Sequence, residues 1–246
     1  KQNFEKPKIL SVPHGVDCFS NRMNDIFDIE NTKIDYSIYD KVICNDKNQF
    51  DRILNTNKEI IPNLRYTHEW VDNIKNNFLL KRNNYKDKLT FLIIHSKKIG
   101  NIHFAEVLRC LKILNKFKNF QVIIKPHPRI SKNNNEIKSM LKVDKNIQIS
   151  YRHMIDISND VDFIITFQSS AFFDGLLLSK PIIFPKYVSS NIIDKDILKY
   201  LTVIDSPDLF LNTLESINKN YSIFTNKKLH VIDYKNIILK WKKIFI

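Results

Sequence analysis

A strand-length apolar run, Phe120 to Ile124, ends abruptly in Lys125-Pro126-His127-Pro128-Arg129, and this corner constrains the fold more than any other part of the chain. The two prolines restrict the backbone on either side of the imidazole and stop the run from continuing as a helix or an inner strand. His127 is therefore presented rigidly, with a cation on each side, at the carboxyl end of a strand. Further on, Asp162 to Phe184 repeats the design: apolar "FIITF" leads to Gln168-Ser169-Ser170 and then to "AFFDGLLLS". Open α/β sheets hold their ligands outside the carboxyl ends of their strands. Lysine offers a point charge, arginine a planar fork and serine a short donor, which together suit a phosphorylated ligand. The two corners predict a site for a nucleotide diphosphate donor.

The rest of the chain alternates between the two periodicities. Strands are expected at "KILSVPHG", "DKVICN", "LTFLIIHS", "FQVIIKPHP", "IQIS", "VDFIITF" and "PIIF". Helices are expected at "DKNQFDRILNT", "HFAEVLRCLKILNKF", "NNEIKSMLK", "SSAFFDGLLLS" and "SPDLFLNTLESINK", the last capped by Ser206, with a helical turn at "MIDISND". In "HFAEVLRCLKILNKF", Phe104, Val107, Leu108, Leu111 and Leu114 fall on one helical face. Strands separated by helices imply a parallel sheet covered on both sides, hence an α/β fold with a Rossmann-like sheet. The polar stretch from Asp72 to Lys88 reads as a linker, although Ile74, Phe78 and Leu79 would share a helical face. It divides residues 1–85 from residues 86–246.

Composition excludes several classes. At 246 residues and 43% apolar the chain can bury a sizeable core. Cys18, Cys44 and Cys110 are odd in number and widely spaced, so neither a disulfide framework nor a zinc site is indicated, and a reducing compartment fits. The net charge of +13 is scattered along the length. It favours anionic ligands or an anionic membrane face, while no nucleic-acid-binding signature accompanies it. With 3 glycines the chain has no Gly-x-Gly-x-x-Gly or Walker loop, which argues against a dinucleotide dehydrogenase or a kinase. No apolar stretch reaches the roughly 20 residues a membrane helix needs. The opening "KQNFEKPK" has neither an initiator methionine nor the apolar region of a signal peptide, so the chain reads as a cytoplasmic fragment of a longer protein.

"VPHG", "KPHPR" and "VDFIITFQSSAFFDGLLLSKPIIF" together resemble the carboxyl-terminal half of the CDP-glycerol glycerophosphotransferase family and related GT-B surface-polysaccharide transferases, over about Lys8 to Tyr187. The resemblance implies two Rossmann-like domains. Residues 1–85 would be a truncated remnant of the acceptor-side domain with the interdomain segment, and 86–246 the GT-B-type donor-binding domain. It implies functional histidines at His14 and His127, and donor phosphate binding at Ser169 and Ser170. The chain departs from the family where Phe167-Gln168 replaces Asp-Tyr before the serines, and where "VDCFSN" follows His14-Gly15 in place of Thr-Pro-x-x-Lys.

Read with that resemblance, His14 would act as general base toward an acceptor hydroxyl. His127 would stabilise the departing nucleotide, and Lys125 and Arg129 would neutralise the diphosphate. Asp174 would meet a sugar or ribose hydroxyl, although a carboxylate near a helix start is also stabilised by the helix dipole. His95, at another strand end, would face the same crevice. Ser169 and Ser170 would also serve as a helix cap. Arg65, His68 and Glu69 would close over the donor. No metal or other cofactor is called for, since the cationic side chains can do that electrostatic work. The expected partners are a CDP- or UDP-linked donor and a glycan or lipid-linked acceptor in capsule or teichoic acid synthesis, at the inner face of the cell membrane, and no nucleic acid. The amphipathic stretch Tyr234 to Phe245 would either touch that membrane or pack on its own domain. Two rivals remain: a UDP-sugar 2-epimerase-like enzyme of the same fold, and a noncatalytic nucleotide-binding or assembly subunit.

Overall fold

The computed structural model describes residues 9–12, 35–44, 47–55, 57–61, 67–77, 88–95, 102–128, 130, 134–144, 146–167, 169, 171–190 and 198–220. The described residues form two compact units that divide between Trp70 and Val71. Lys86, where the sequence places the boundary, lies outside the described residues.

The first unit carries β1 (Leu10–Ser11), β2 (Lys41–Cys44), α1 (Lys47–Arg52) and β3 (Lys58–Ile60). Its strands pair in parallel in the order β1-β2-β3. Ile43 and Ile61 are buried against Leu10. Asn55 ties down the connection: its Nδ2 donates to the carbonyls of Tyr36 and Tyr39, both at 2.8 Å, and its Oδ1 accepts from the Asn57 amide. The Lys58 ammonium donates to the carbonyls of Phe50 and Ile53, which satisfies acceptors left over at the end of α1.

A helix, α2 (His68–Asn77), runs through the first part of the predicted linker. Ile74, one of the three residues whose spacing suggests a helical face across that stretch, is buried and gives the helix something to pack on.

The second unit contains β4 (Leu89–His95), α3 (Phe104–Leu114), β5 (Phe120–Pro126), α4 (Asn135–Leu141), β6 (Gln148–Ile149), α5 (Met154–Asp160), β7 (Phe163–Thr166), α6 (Phe172–Leu177), β8 (Ile182–Pro185), β9 (Thr202–Ile204) and α7 (Pro207–Lys219). All six strands are parallel, in the order β6-β5-β4-β7-β8-β9. Counted from β4 this is 3-2-1-4-5-6, the doubly wound arrangement in which the winding reverses between the first and fourth strands. The reversal falls between β4 and β7.

β4 is buried from Thr90 to His95, as a central parallel strand covered on both faces must be. On one face Phe91, Ile93, Ile124 and Ile165 meet α3, α4 and α7 through Val107, Leu111, Ile137, Met140, Phe210 and Leu214. On the other, α6 lies directly on β7 and β8. A Cβ added at Gly175 would run into the Cδ1 atoms of Ile164 and Ile182, so glycine is what permits this approach.

Local signals set the element ends. Ser206 Oγ accepts from the Leu209 amide at 3.2 Å and Pro207 opens the helix, so α7 starts where its sequence predicts. After α6 the chain turns through Ser179 at φ 57°, while the amides of Lys180 and Ser179 return to the carbonyls of Gly175 and Leu176. At the amino ends of β4 and β7, Thr90 and Asp162 clamp the strands together: the Thr90 amide donates to the Asp162 carboxylate, and the Asp162 amide to the Thr90 carbonyl. Cys44 and Cys110 are buried. Burial first, against a hydrogen-bonding contact with the Tyr187 hydroxyl at 3.0 Å, pushes the Cys110 thiol up to about 12.

Candidate active site

The motif residues of the second unit meet at one edge of its sheet. Register pairs His95 with Pro126 and Ile94 with both Lys125 and Thr166, so β5, β4 and β7 end side by side. With strands about 4.8 Å apart, their carboxyl ends fall within about 10 Å of one another. His127 is the first residue past β5, and Ser169 follows β7 by three residues. Both lie at the carboxyl edge, flanking the reversal point where such sheets bind ligands.

Pairing partners in a parallel sheet share a face, which sorts the side chains into two rows. Lys125, Ile94 and Thr166 form one row, on the face that α6 covers through Ile164. His95 lies in the other, on the Phe91 and Ile93 face with α3 and α4. Lys125 is half-buried, and burial pulls its ammonium below the ordinary lysine value. A partly dehydrated cation at a strand end gains from an approaching anion.

His95 is 2% exposed. Its Nε2 lies 3.3 Å from the Glu136 carboxylate, and the Phe104 ring stands 6.3 Å away, centroid to centroid. Its Nδ1 is buried without a hydrogen-bond partner among the described residues. Burial is the largest influence and pulls the imidazole below the ordinary histidine range; Glu136 acts against it, and His127 adds to the lowering. His127 therefore lies near enough for a charge on one ring to oppose a charge on the other. It is half-buried at the corner.

That lowering has a consequence for stability. The unfolded chain takes up a proton at His95 near pH 6.5, before the folded chain does. Stability from this residue is complete above about pH 6.5 and falls as the pH drops through that value, by at most about 1.4 kcal/mol per pH unit. Urea unfolding from pH 7.5 downward should show a shallower acid slope in His95→Gln than in wild type; equal slopes would contradict a buried neutral imidazole.

Ser169 does not open α6 as the sequence suggests. The helix begins at Phe172, with Ala171 at the cap position and no side-chain cap bond. Ser169 Oγ accepts from the Ala171 amide at 3.3 Å, and its carbonyl accepts from Thr166 Oγ1 and the Phe172 amide, both at 3.4 Å. The hydroxyl thus engages a turn ahead of the helix. Asp174 is 4% exposed within α6. His103 and His153 take up capping positions before α3 and α5, and the His153 ring accepts from the Ile155 amide. His14, Arg65, Arg129, Ser170 and the stretch from Tyr234 to Phe245 lie outside the described residues, and so does the side chain of His68. Glu136 was not singled out from sequence. The signal was there in Asn134-Asn135-Glu136, since Asn134 caps α4 by accepting the Glu136 amide at 2.8 Å and so sets the carboxylate in the first helical turn.

Among the described residues no group of three or more His, Cys, Asp and Glu side chains is arranged to hold a metal, and no helix is long and apolar enough to cross a membrane.

The fold is α/β and Rossmann-like, of the kind GT-B transferases and related epimerases share. Residues 100–190 match the family described as CDP-Glycerol:Poly(glycerophosphate) glycerophosphotransferase, a span that runs from before α3 to beyond β8 and includes both motif corners. The resemblance read from "KPHPR" and the serine segment thus agrees with an independent family match. Among solved structures, TarM is similar at 14% identity and TM-score 0.50, over 92% of this chain and 49% of that one. A UDP-N-acetylglucosamine 2-epimerase is similar at 13% identity and TM-score 0.50, over 76% of this chain and 51% of that one. The chain thus spans about half the length of each. Comparison with curated proteins gives no match.

Proposed function

We propose that this chain is the donor-binding part of a GT-B-type transferase that moves a sugar or polyol phosphate from a CDP- or UDP-activated donor to a cell-surface glycan acceptor. The observation that carries the reading is the meeting of the Lys-Pro-His-Pro corner and the serine segment at the carboxyl edge, beside the reversal point, within the span of the family match. Under this reading His127, Lys125, Arg129, Ser169 and Ser170 hold the diphosphate, and His95 and Asp174 support it. Under the same reading, residues 1–85 are the remnant of the acceptor-side domain with the interdomain segment, and His14 takes the proton of the attacking hydroxyl.

In polyol phosphate transfer, the acceptor oxygen attacks the distal phosphorus, the bond to the bridging oxygen breaks, and CMP leaves with the electron pair. In sugar transfer the attack falls on the anomeric carbon and a nucleoside diphosphate leaves. Both routes build negative charge on the leaving phosphate, where a fixed imidazole and a partly dehydrated ammonium are most effective.

Thermal melting with CMP, CDP, UDP and GDP tests the reading. A cytidine or uridine nucleotide should raise the midpoint, by an amount equivalent to about 2.7 kcal/mol at one hundred times its dissociation constant. If none of the four moves it, the donor assignment fails.

A further inference from the structure

Glu136 pairs with His95, and the donor reading gives that carboxylate no purpose. The two residues are 41 positions apart, and their side chains are 17% and 3% exposed. A carboxylate only accepts, so the hydrogen between them sits on Nε2 and the lone pair of a neutral ring sits on Nδ1. A buried acceptor left unpaired is costly, and a structural histidine could avoid that cost by becoming an apolar side chain. Here the ring is kept, next to the residue that the motif presents to solvent.

We propose that Glu136 is a positioning residue of the strand-end site: it locks His95 as the Nε2–H tautomer and supplies the negative charge behind His127 when an anion binds there. This rests on the reading that His127 meets the donor diphosphate. Among the described residues, three groups bear on His95. Glu136 faces it from α4 and His127 from the end of β5. α3 presents the uncharged Phe104. Two neighbouring imidazoles do not both charge readily, because each opposes the other. The buried ring, held neutral by its burial beside Glu136, leaves the charge to the half-buried one.

Long-range proton–nitrogen NMR spectra of the full chain labelled in histidine read the tautomer without any ligand. The His95 signals, assigned by their loss in His95→Gln, should show Nε2 protonated and Nδ1 bare. Glu136→Ala should convert them to mixed tautomers. Glu136→Gln, which keeps an acceptor but removes the charge, should hold the tautomer yet bind inorganic pyrophosphate roughly tenfold more weakly than wild type, with binding lost at lower pH. An Nδ1–H form in wild type overturns the locking role. Wild-type pyrophosphate affinity and pH profile in Glu136→Gln overturn the electrostatic one. If the wild-type protein binds neither pyrophosphate nor CDP, the donor reading fails and takes the electrostatic role with it, while the tautomer spectra still decide the locking role.

Discussion

Replacing His127 with alanine should weaken CDP binding by roughly 10- to 100-fold, the range for removing a hydrogen bond to a charged group. The expectation follows from how the corner is built. Pro126 closes β5 in register with His95, and Pro128 follows at once, so the imidazole is held near its bound position before ligand arrives. A preorganised donor gives up little entropy on binding, and its loss is felt almost in full. Calorimetric titration of wild type, His127→Ala and His127→Gln measures the effect, with circular dichroism confirming that the variants are folded. Glutamine can still donate a hydrogen bond but carries no charge, so it should fall between the other two. Equal CDP affinity in all three would remove His127 from the site.

The second large effect is on stability. Phe91 is fully buried at the centre of the sheet, stacked on Phe163 with centroids 5.1 Å apart and tilted against Phe120 at 4.7 Å. Phe120 in turn stacks on Phe117, so the ring links β7 through β4 to the turn after α3. Phe91→Ala should cost about 3–5 kcal/mol, through lost transfer energy plus the cavity left between strands that cannot close up. Phe91→Leu should cost appreciably less, because it keeps most of the volume. Urea denaturation supplies both numbers, and an alanine cost below about 1 kcal/mol would mean that this ring is not part of a close-packed core.

Much of this architecture could be read from the chain because its local signals agree with one another. Apolar runs of strand length ended at Pro, Ser or Asp, and the periodicity of "FAEVLRCLKIL" is that of a buried helical face, with Val107, Cys110, Leu111 and Leu114 inward. Ser206 and Pro207 mark the start of α7 by capping chemistry that needs no tertiary context. Strand order was not legible, because pairing β4 with β7 joins residues more than seventy positions apart and leaves no periodic trace. The pairing of Glu136 with His95 escaped for the same reason. Within a few residues, too, packing outweighed pattern: Ser169 looks like a helix cap, yet its hydroxyl closes a turn on Ala171 and the helix waits until Phe172. The stretch from Asp72 reads as a linker because Asn, Lys and Asp dominate it, while the buried Ile74, which anchors its first part as a helix, carries little weight in composition.

The central claim is that a nucleotide diphosphate lies across the carboxyl ends of β4, β5 and β7. A crystal structure of the protein soaked with CDP tests it most directly. The account predicts diphosphate density at that edge, within hydrogen-bonding distance of His127 and close to Ser169. Nucleotide bound at the amino-terminal edge of the sheet, or at the carboxyl edge but out of reach of His127, would contradict it.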